Sequence, residues 1–233
     1  MDATSSAAAI PVLHVVTTDE IVASAGFLDR ARNVMRAMRG RGALHLRAPK
    51  TMEEHAAALL ELALALAEEQ ERTGAWLVIS DRVDVALMVS ARGVQLTGRS
   101  LDVSDATQIV LRASHRNVTG ASNVVIGASV HSLEEAIAAR LGGASWGVTR
   151  DVLPNRLRPD GARIDDGPEL LNRLVRFGGI PIIAIGGVLP MHVAELRRAG
   201  AHGIAAIRGV WEVEHSERAA IDYLSAYDSE VGR

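Results

Sequence analysis

Cysteine is absent from the 233 residues, which excludes disulfides, thiolate nucleophiles and cysteine-held metals. No charge dominates: 25 Lys and Arg face 28 Asp and Glu, a net charge of −3. That balance leaves no electrostatic footprint for nucleic acid or an acidic membrane, and no basic helix or helix-turn-helix pattern stands out. Every apolar run is broken by charge well short of the ~20 residues that a membrane span needs. Residues 1–9 (MDATSSAAA) lack a basic stretch and a long apolar core, so they read as a loose tail rather than a signal peptide. The expected compartment is the cytoplasm.

What the chain does have is a repeated alternation. Short apolar runs lie at Val12–Thr17, Ala43–Arg47, Trp76–Ser80, Gly93–Leu96, Val124–Ala128, Ser145–Thr149, Pro181–Ile185 and Gly203–Ile207. They do not alternate with polar residues, as suits strands buried on both faces. Between them the spacing is helical. Phe27, Leu28, Ala31, Val34, Met35 and Met38 form one apolar stripe, and Leu133, Ala136, Ile137 and Leu141 form another. Thr51 with Glu54 and Ser132 with Glu135 match capping boxes, and Pro190 suits a first helical turn. Eight strand–helix alternations predict a (β/α)₈ TIM barrel, the runner-up being an open doubly wound sheet. No linker divides the chain, so residues 10–233 are expected to form one domain. The long irregular stretch Arg150–Pro168 after the sixth strand reads as a functional loop or lid.

Barrel ligands bind at the carboxyl ends of strands, and phosphate often sits by the last two loops. The seventh strand runs into Gly186–Gly187, and the eighth into Ile207–Arg208–Gly209. Glycine lets the backbone approach an oxyanion, and Arg208 adds a charged donor. Tight turns need glycine anyway, but two such turns, one with an arginine, favour a phosphate site. None of the eight histidines falls in a metal-binding spacing. His45 ends the second strand, facing the site, while His14 and most others read as surface residues. Trp76 and Trp146 read as packing residues, and Glu68–Glu69 as a solvated helix face.

The segments ISDRVDVAL (79–87), IGASVHSLEEA (126–136), AIGGV (184–188) and AGAHGIAA (199–206) resemble the thiamine phosphate synthase/TenI family, in order and approximate spacing. The resemblance covers roughly residues 11–225 and implies one of two chemistries. The synthase joins a pyrimidine diphosphate to a thiazole phosphate, with Mg²⁺ holding the diphosphate. The TenI branch includes tautomerases that move a proton to aromatise a thiazole carboxylate phosphate.

Position by position, the resemblance implies a weakened metal site. The synthase pattern Gln-x-Arg-x-Lys is replaced by His45-Leu46-Arg47-Ala48-Pro49, with Lys50 one place late. Asp81 keeps one Mg²⁺ ligand, although a Ser80–Asp81 pair is equally good N-cap chemistry. Arg99 stands where the second acidic ligand belongs, and the loop after the sixth strand carries Arg150, Arg156 and Arg158 in place of threonines. Those arginines suit either an anion or solvent. Ser129-Val130-His131-Ser132 survives, with Ser129 expected near substrate. In TenI-type tautomerases the histidine at the His131 position is the one expected to shuttle the proton, the alternative being a mere neighbour of the Ser132 cap.

The leading expectation is therefore a thiazole tautomerase with His131 catalytic and no metal or other cofactor required. Arg47, Lys50, His45, Asp81, Ser129 and Arg150 would contact substrate; Gly186, Gly187, Ile207, Arg208 and Gly209 would hold its phosphate. A divergent synthase using Mg²⁺ is the second reading and a non-catalytic ligand-binding protein the third. The partner in each case is a phosphorylated thiazole, and the chain could form a homo-oligomer.

Overall fold

A computed structural model describes residues 9–47, 56–150, 152–153, 156–157, 163–164 and 167–229. Among these residues ten strands run in chain order: β1 Leu13–Val16, β2 Gly42–Leu46, β3 Trp76–Ser80, β4 Gly93–Leu96, β5 Val125–Ser129, β6 Trp146–Thr149, β7 Arg156–Leu157, β8 Arg163–Ile164, β9 Ile182–Ala184 and β10 Gly203–Ala206. Eight of them close into a parallel barrel in the ring order β1-β10-β9-β6-β5-β4-β3-β2. The expected TIM barrel is the fold, and the open sheet is excluded. The remaining two strands, β7 and β8, pair as an antiparallel hairpin inside the stretch read from sequence as irregular.

The barrel interior shows why glycine and tryptophan fall where they do. Trp146 is fully buried and reaches across the next two strands of the ring, β5 and β4. A Cβ on Gly127 would stand 2.0 Å from the Trp146 ring, and one on Gly93 only 3.0 Å from it. Two missing side chains on adjacent strands thus make room for one large ring, which keeps the interior close-packed. Its Nε1–H donates to Oε1 of Gln95 at 2.8 Å, so the indole's polar end is satisfied.

The helices cover the outside of the ring. Helix Phe27–Met38 buries Phe27, Ala31, Val34, Met35 and Met38, which is the expected stripe except that Leu28 is only partly buried. Each fully buried large apolar side chain contributes roughly 1.5–3 kcal/mol. The other stripe differs. Helix Leu133–Gly142 buries Ala136 and Ala139, while Leu141 is exposed. The buried face of this helix carries small residues, and Leu141, in its last turn, faces solvent. Glu69, expected on a solvated face, is buried and ion-paired with Arg36 at 2.9 Å and Arg72 at 3.3 Å. The Thr51–Glu54 box lies outside the described residues, whereas Pro190 does open helix Pro190–Arg198. No helix among the described residues is long and apolar enough to cross a membrane.

Candidate active site

The carboxyl ends of β9 and β10 form one cavity of about 390 Å³. Gly186, Gly187, Ile207, Arg208 and Gly209 line it together with Ile185, Val188, Leu189, Ala205 and Glu212. Its size suits a small phosphorylated molecule. Gly186 and Gly187 adopt φ of 118° and 63°, values that an L side chain would strain, so the turn requires both glycines. Helix Arg208–Trp211 begins at the β10 turn, and the amides of its first residues have no acceptor within the helix. Arg208 is exposed at this rim, and Glu212 is the acidic residue lining the cavity. A larger recess of about 1460 Å³, lined by Trp76 and Val125 among others, lies at the opposite, amino-terminal end of the strands. In barrels that end serves stability and the carboxyl end serves chemistry, so size does not decide between them.

Across the mouth, Asp81 follows β3 with φ of 62°. Its Oδ1 accepts from the Thr97 amide at 2.7 Å and its Oδ2 from the Thr97 hydroxyl at 3.1 Å. The capping reading is corrected here: helix Val83–Met88 has Arg82 at its N-cap and no side-chain cap. Asp81 instead braces the loop after β4 against the loop after β3. Aspartate tolerates the left-handed conformation better than most side chains, which is one reason it can stand there.

The Mg²⁺ implied by the synthase resemblance can be tested against this arrangement. Each Asp81 oxygen takes one hydrogen bond and keeps a further lone pair, so the carboxylate fits a single metal contact. Mg²⁺ usually takes one or two carboxylates and completes its shell with water and substrate phosphate. No cluster of three or more His, Cys, Asp or Glu able to hold a metal occurs among the described residues. Arg99 is exposed on the β4 loop, close in sequence to Thr97. The site thus fits a metal carried largely by the substrate's own oxygens.

His45 lies elsewhere than expected. It is buried inside the barrel against His14, another histidine read from sequence as a surface residue. Burial pushes the His45 imidazole well below its usual pKa and lowers His14 to about 4. The two therefore form a neutral pair beneath the mouth. Arg47 is stitched to β1, its amide donating to the Thr17 hydroxyl at 2.8 Å. Ser129 ends β5 and is partly buried, and Arg150 is exposed directly after β6. Lys50 and Arg158 lie outside the described residues.

His131 is exposed beyond β5, and its backbone amide donates to Oε2 of Glu135 at 2.7 Å. Ser132 Oγ accepts from the Glu135 amide at 3.1 Å, so the expected capping box forms with its carboxylate reaching one residue further back. Sequence reasoning missed Thr17, Thr97 and Glu212. A hydroxyl at a strand's carboxyl end is a usable signal for the first two, while Glu212 carries none.

A closed (β/α)₈ barrel with a glycine-lined cavity on its last two strands defines the class, a TIM barrel with its cavity at the carboxyl ends of the strands. Within that class the chain belongs to the thiamine monophosphate synthase family, whose sequence model matches residues 13–210. It is 38% identical over 146 residues to the thiamine-phosphate synthase of Pyrococcus horikoshii, covering 63% of this chain and 64% of that protein. It is 32% identical over 210 residues to the thiamine-phosphate synthase of Chlorobium luteolum, covering 90% of each. The solved structure of thiamine phosphate pyrophosphorylase from Pyrococcus furiosus superposes with a TM-score of 0.72 at 28% identity, covering 95% of this chain and 98% of that one.

These relatives correct the leading expectation. Membership in an enzyme family holds, but the curated relatives carry the name of the synthase, so the thiazole tautomerase reading and its isomerase assignment are withdrawn. Arg99 in place of a second acidic ligand does not by itself exclude the synthase. A metal bound mainly through a diphosphate tolerates a single protein carboxylate.

Proposed function

We propose that the chain is a thiamine-phosphate synthase, a transferase that couples a pyrimidine diphosphate to a thiazole phosphate. The observation that carries the reading is that Asp81 and the glycine-lined cavity stand on opposite sides of one mouth. In the ring order, β3 with Asp81 stands four places from β9 with its glycine turn, which is diametrically across. One substrate bears a phosphate and the other a diphosphate. Holding each at its own side brings the reacting atoms together over the middle of the barrel. Such positioning alone removes a large part of the barrier between two bound reactants.

In the coupling, the thiazole nitrogen's lone pair forms a new C–N bond with the pyrimidine methylene carbon. The C–O bond to the diphosphate breaks, its electron pair leaves with the diphosphate, and the ring becomes a thiazolium. Mg²⁺, when bound, neutralises charge on the leaving diphosphate, with Asp81 as the carboxylate that would hold it. Gly187, Arg208 and Gly209 hold the thiazole phosphate through backbone amides and the guanidinium. Arg47, Arg99 and Arg150 follow β2, β4 and β6 and supply positive charge to the diphosphate side. Ser129, between the two sides, is placed to orient the ring. We place the reaction in one barrel domain spanning residues 10–233, in the cytoplasm.

The test is incubation with both substrates, with and without Mg²⁺, followed by product identification. Thiamine phosphate and released diphosphate are expected, with the rate rising on Mg²⁺ addition. Binding of both substrates without any coupled product overturns the reading.

A further inference from the structure

We propose that Tyr223, beyond the residues matched by the family, is a positioning residue that sets the spacing of the two phosphate-binding turns. It belongs to helix Ser216–Asp228 and is fully buried. Its hydroxyl donates to the carbonyl of Val188 at 2.7 Å. Val188 directly follows the Gly186–Gly187 turn. The same hydroxyl oxygen lies 2.1 Å from where a Cβ on Gly209 would stand. One oxygen atom therefore holds the β9 turn by a hydrogen bond and touches the β10 turn by contact.

The need for such a device follows from the turns themselves. Two consecutive glycines have no side chains to anchor their backbone and populate many conformations. A cradle of backbone amides binds an oxyanion well only if its donors are fixed beforehand. The β10 side is secured independently. Trp211 Nε1–H donates to the Val16 carbonyl at 2.9 Å, and Arg30 donates to the Trp211 carbonyl and to Ser216 Oγ. Tyr223 joins that secured side to the β9 turn. Burial pushes its hydroxyl up to about 12, so the donor keeps its proton throughout the working pH range. The glycine at 209 is then explained by close approach: any side chain there would displace the hydroxyl.

The inference rests on the synthase reading only for the identity of the phosphate ester, and inorganic phosphate serves as an independent probe. Tyr223→Phe removes the donor and keeps the ring. Losing one hydrogen bond of ordinary strength should raise the Kd for inorganic phosphate by about 3- to 10-fold. Binding is followed through the amide resonances of Gly187, Arg208 and Gly209. The KM for thiazole phosphate should rise by the same factor, while kcat and the KM for pyrimidine diphosphate hold. Gly209→Ala should weaken phosphate binding by colliding with the hydroxyl. Adding Tyr223→Phe to it should recover part of that loss, because the colliding atom is gone.

Unchanged phosphate affinity in Tyr223→Phe overturns the proposal. So does an equal rise in both KM values, which marks a general loss of structure. Phosphate that fails to move those amide resonances in the parent protein overturns it too. Phosphate binding weakened as expected in a protein that forms no thiamine phosphate leaves Tyr223 in its role and rejects the synthase reading instead.

Discussion

Inside the barrel, His45 Nε2 meets His14 Nδ1 at 2.7 Å, and His14 Nε2 meets the Pro11 carbonyl at 3.0 Å. A carbonyl can only accept, so His14 carries its proton on Nε2. Its Nδ1 then holds a lone pair, which makes His45 Nε2–H the donor. With both rings neutral every one of these bonds is made, and burial opposes a charge on either ring.

A pH dependence of stability follows. Burial depresses both histidines in the folded protein, His14 to about 4, whereas an unfolded imidazole titrates near ~6.5. Above that value both states are neutral and the folded state loses nothing. As pH falls from ~6.5 toward 4 the unfolded chain takes up protons that the folded pair refuses. Stability should fall there by up to about 1.4 kcal/mol per pH unit for each histidine. Urea midpoints at pH 7.5, 6.5, 5.5 and 4.5 measure this. His45→Gln should flatten the profile below pH 6.5, and an unaltered slope in that variant refutes the pair's role.

The barrel was legible because its signals are local. All eight barrel strands lie within the apolar runs read from sequence, give or take a terminal residue, since buried parallel strands have little freedom of composition. The two glycine turns were legible for a similar reason, because positive φ at Gly186 and Gly187 restricts the residue type. What stayed hidden depends on partners distant in sequence. Glu69 looks solvated until Arg36 comes across to it, and His14 looks exposed until β2 brings His45 alongside. Asp81 resembles a cap because its real partner, Thr97, belongs to another loop.

Arg208 is predicted to strengthen phosphate binding without entering the bond exchange. It is exposed, so its charged hydrogen bond is partly screened, and Arg208→Gln should raise the KM for thiazole phosphate about 10-fold. The value of kcat at saturating substrate should be nearly unchanged. A fall in kcat with constant KM would show that Arg208 acts on the transition state instead.

Glu212 places a carboxylate on the wall of a cavity suited to an anion. The repulsion is weakened by solvent, and relieving it should be worth about 2- to 5-fold. Glu212→Gln should therefore tighten inorganic phosphate at low salt. The gain should shrink as ionic strength rises, since salt screens exposed charges. Equal affinity at both salt concentrations would mean that the carboxylate points away from the bound anion.

Asp81 has two tasks that one pair of variants separates. Asp81→Asn can still accept from the Thr97 amide and donate to its hydroxyl, so the brace between loops survives while the charge is lost. Its kcat/KM for the pyrimidine diphosphate should drop on the order of 10²-fold, with weakened Mg²⁺ dependence and a near-normal melting temperature. Asp81→Ala loses the brace as well, and should also melt earlier. If the asparagine variant matches the parent at every Mg²⁺ concentration, Asp81 is a structural brace only.

His131 provides the sharpest contrast between the chemistry expected from the sequence and the chemistry of the family. A reaction that relays a proton through an imidazole loses about 10²–10⁴-fold in rate when that imidazole is removed. The coupling of thiazole nitrogen to the pyrimidine methylene requires no base, because the attacking nitrogen already carries a lone pair and bears no proton. The bond that breaks leaves its electrons on a diphosphate, which needs charge neutralisation rather than protonation. The side chain of His131 is exposed, and near the helix cap it is the backbone amide of this residue that donates to Glu135. That amide, and the Ser132–Glu135 box beside it, are kept in His131→Asn. His131→Asn should accordingly form thiamine phosphate within about 3-fold of the parent rate across pH 6 to 8. The measurement is initial rate under saturating substrates and Mg²⁺. A loss of 10²-fold or more, with both substrates still bound, would show that a proton moves at a rate-limiting step, and the mechanism drawn for this barrel would have to be rebuilt around the histidine.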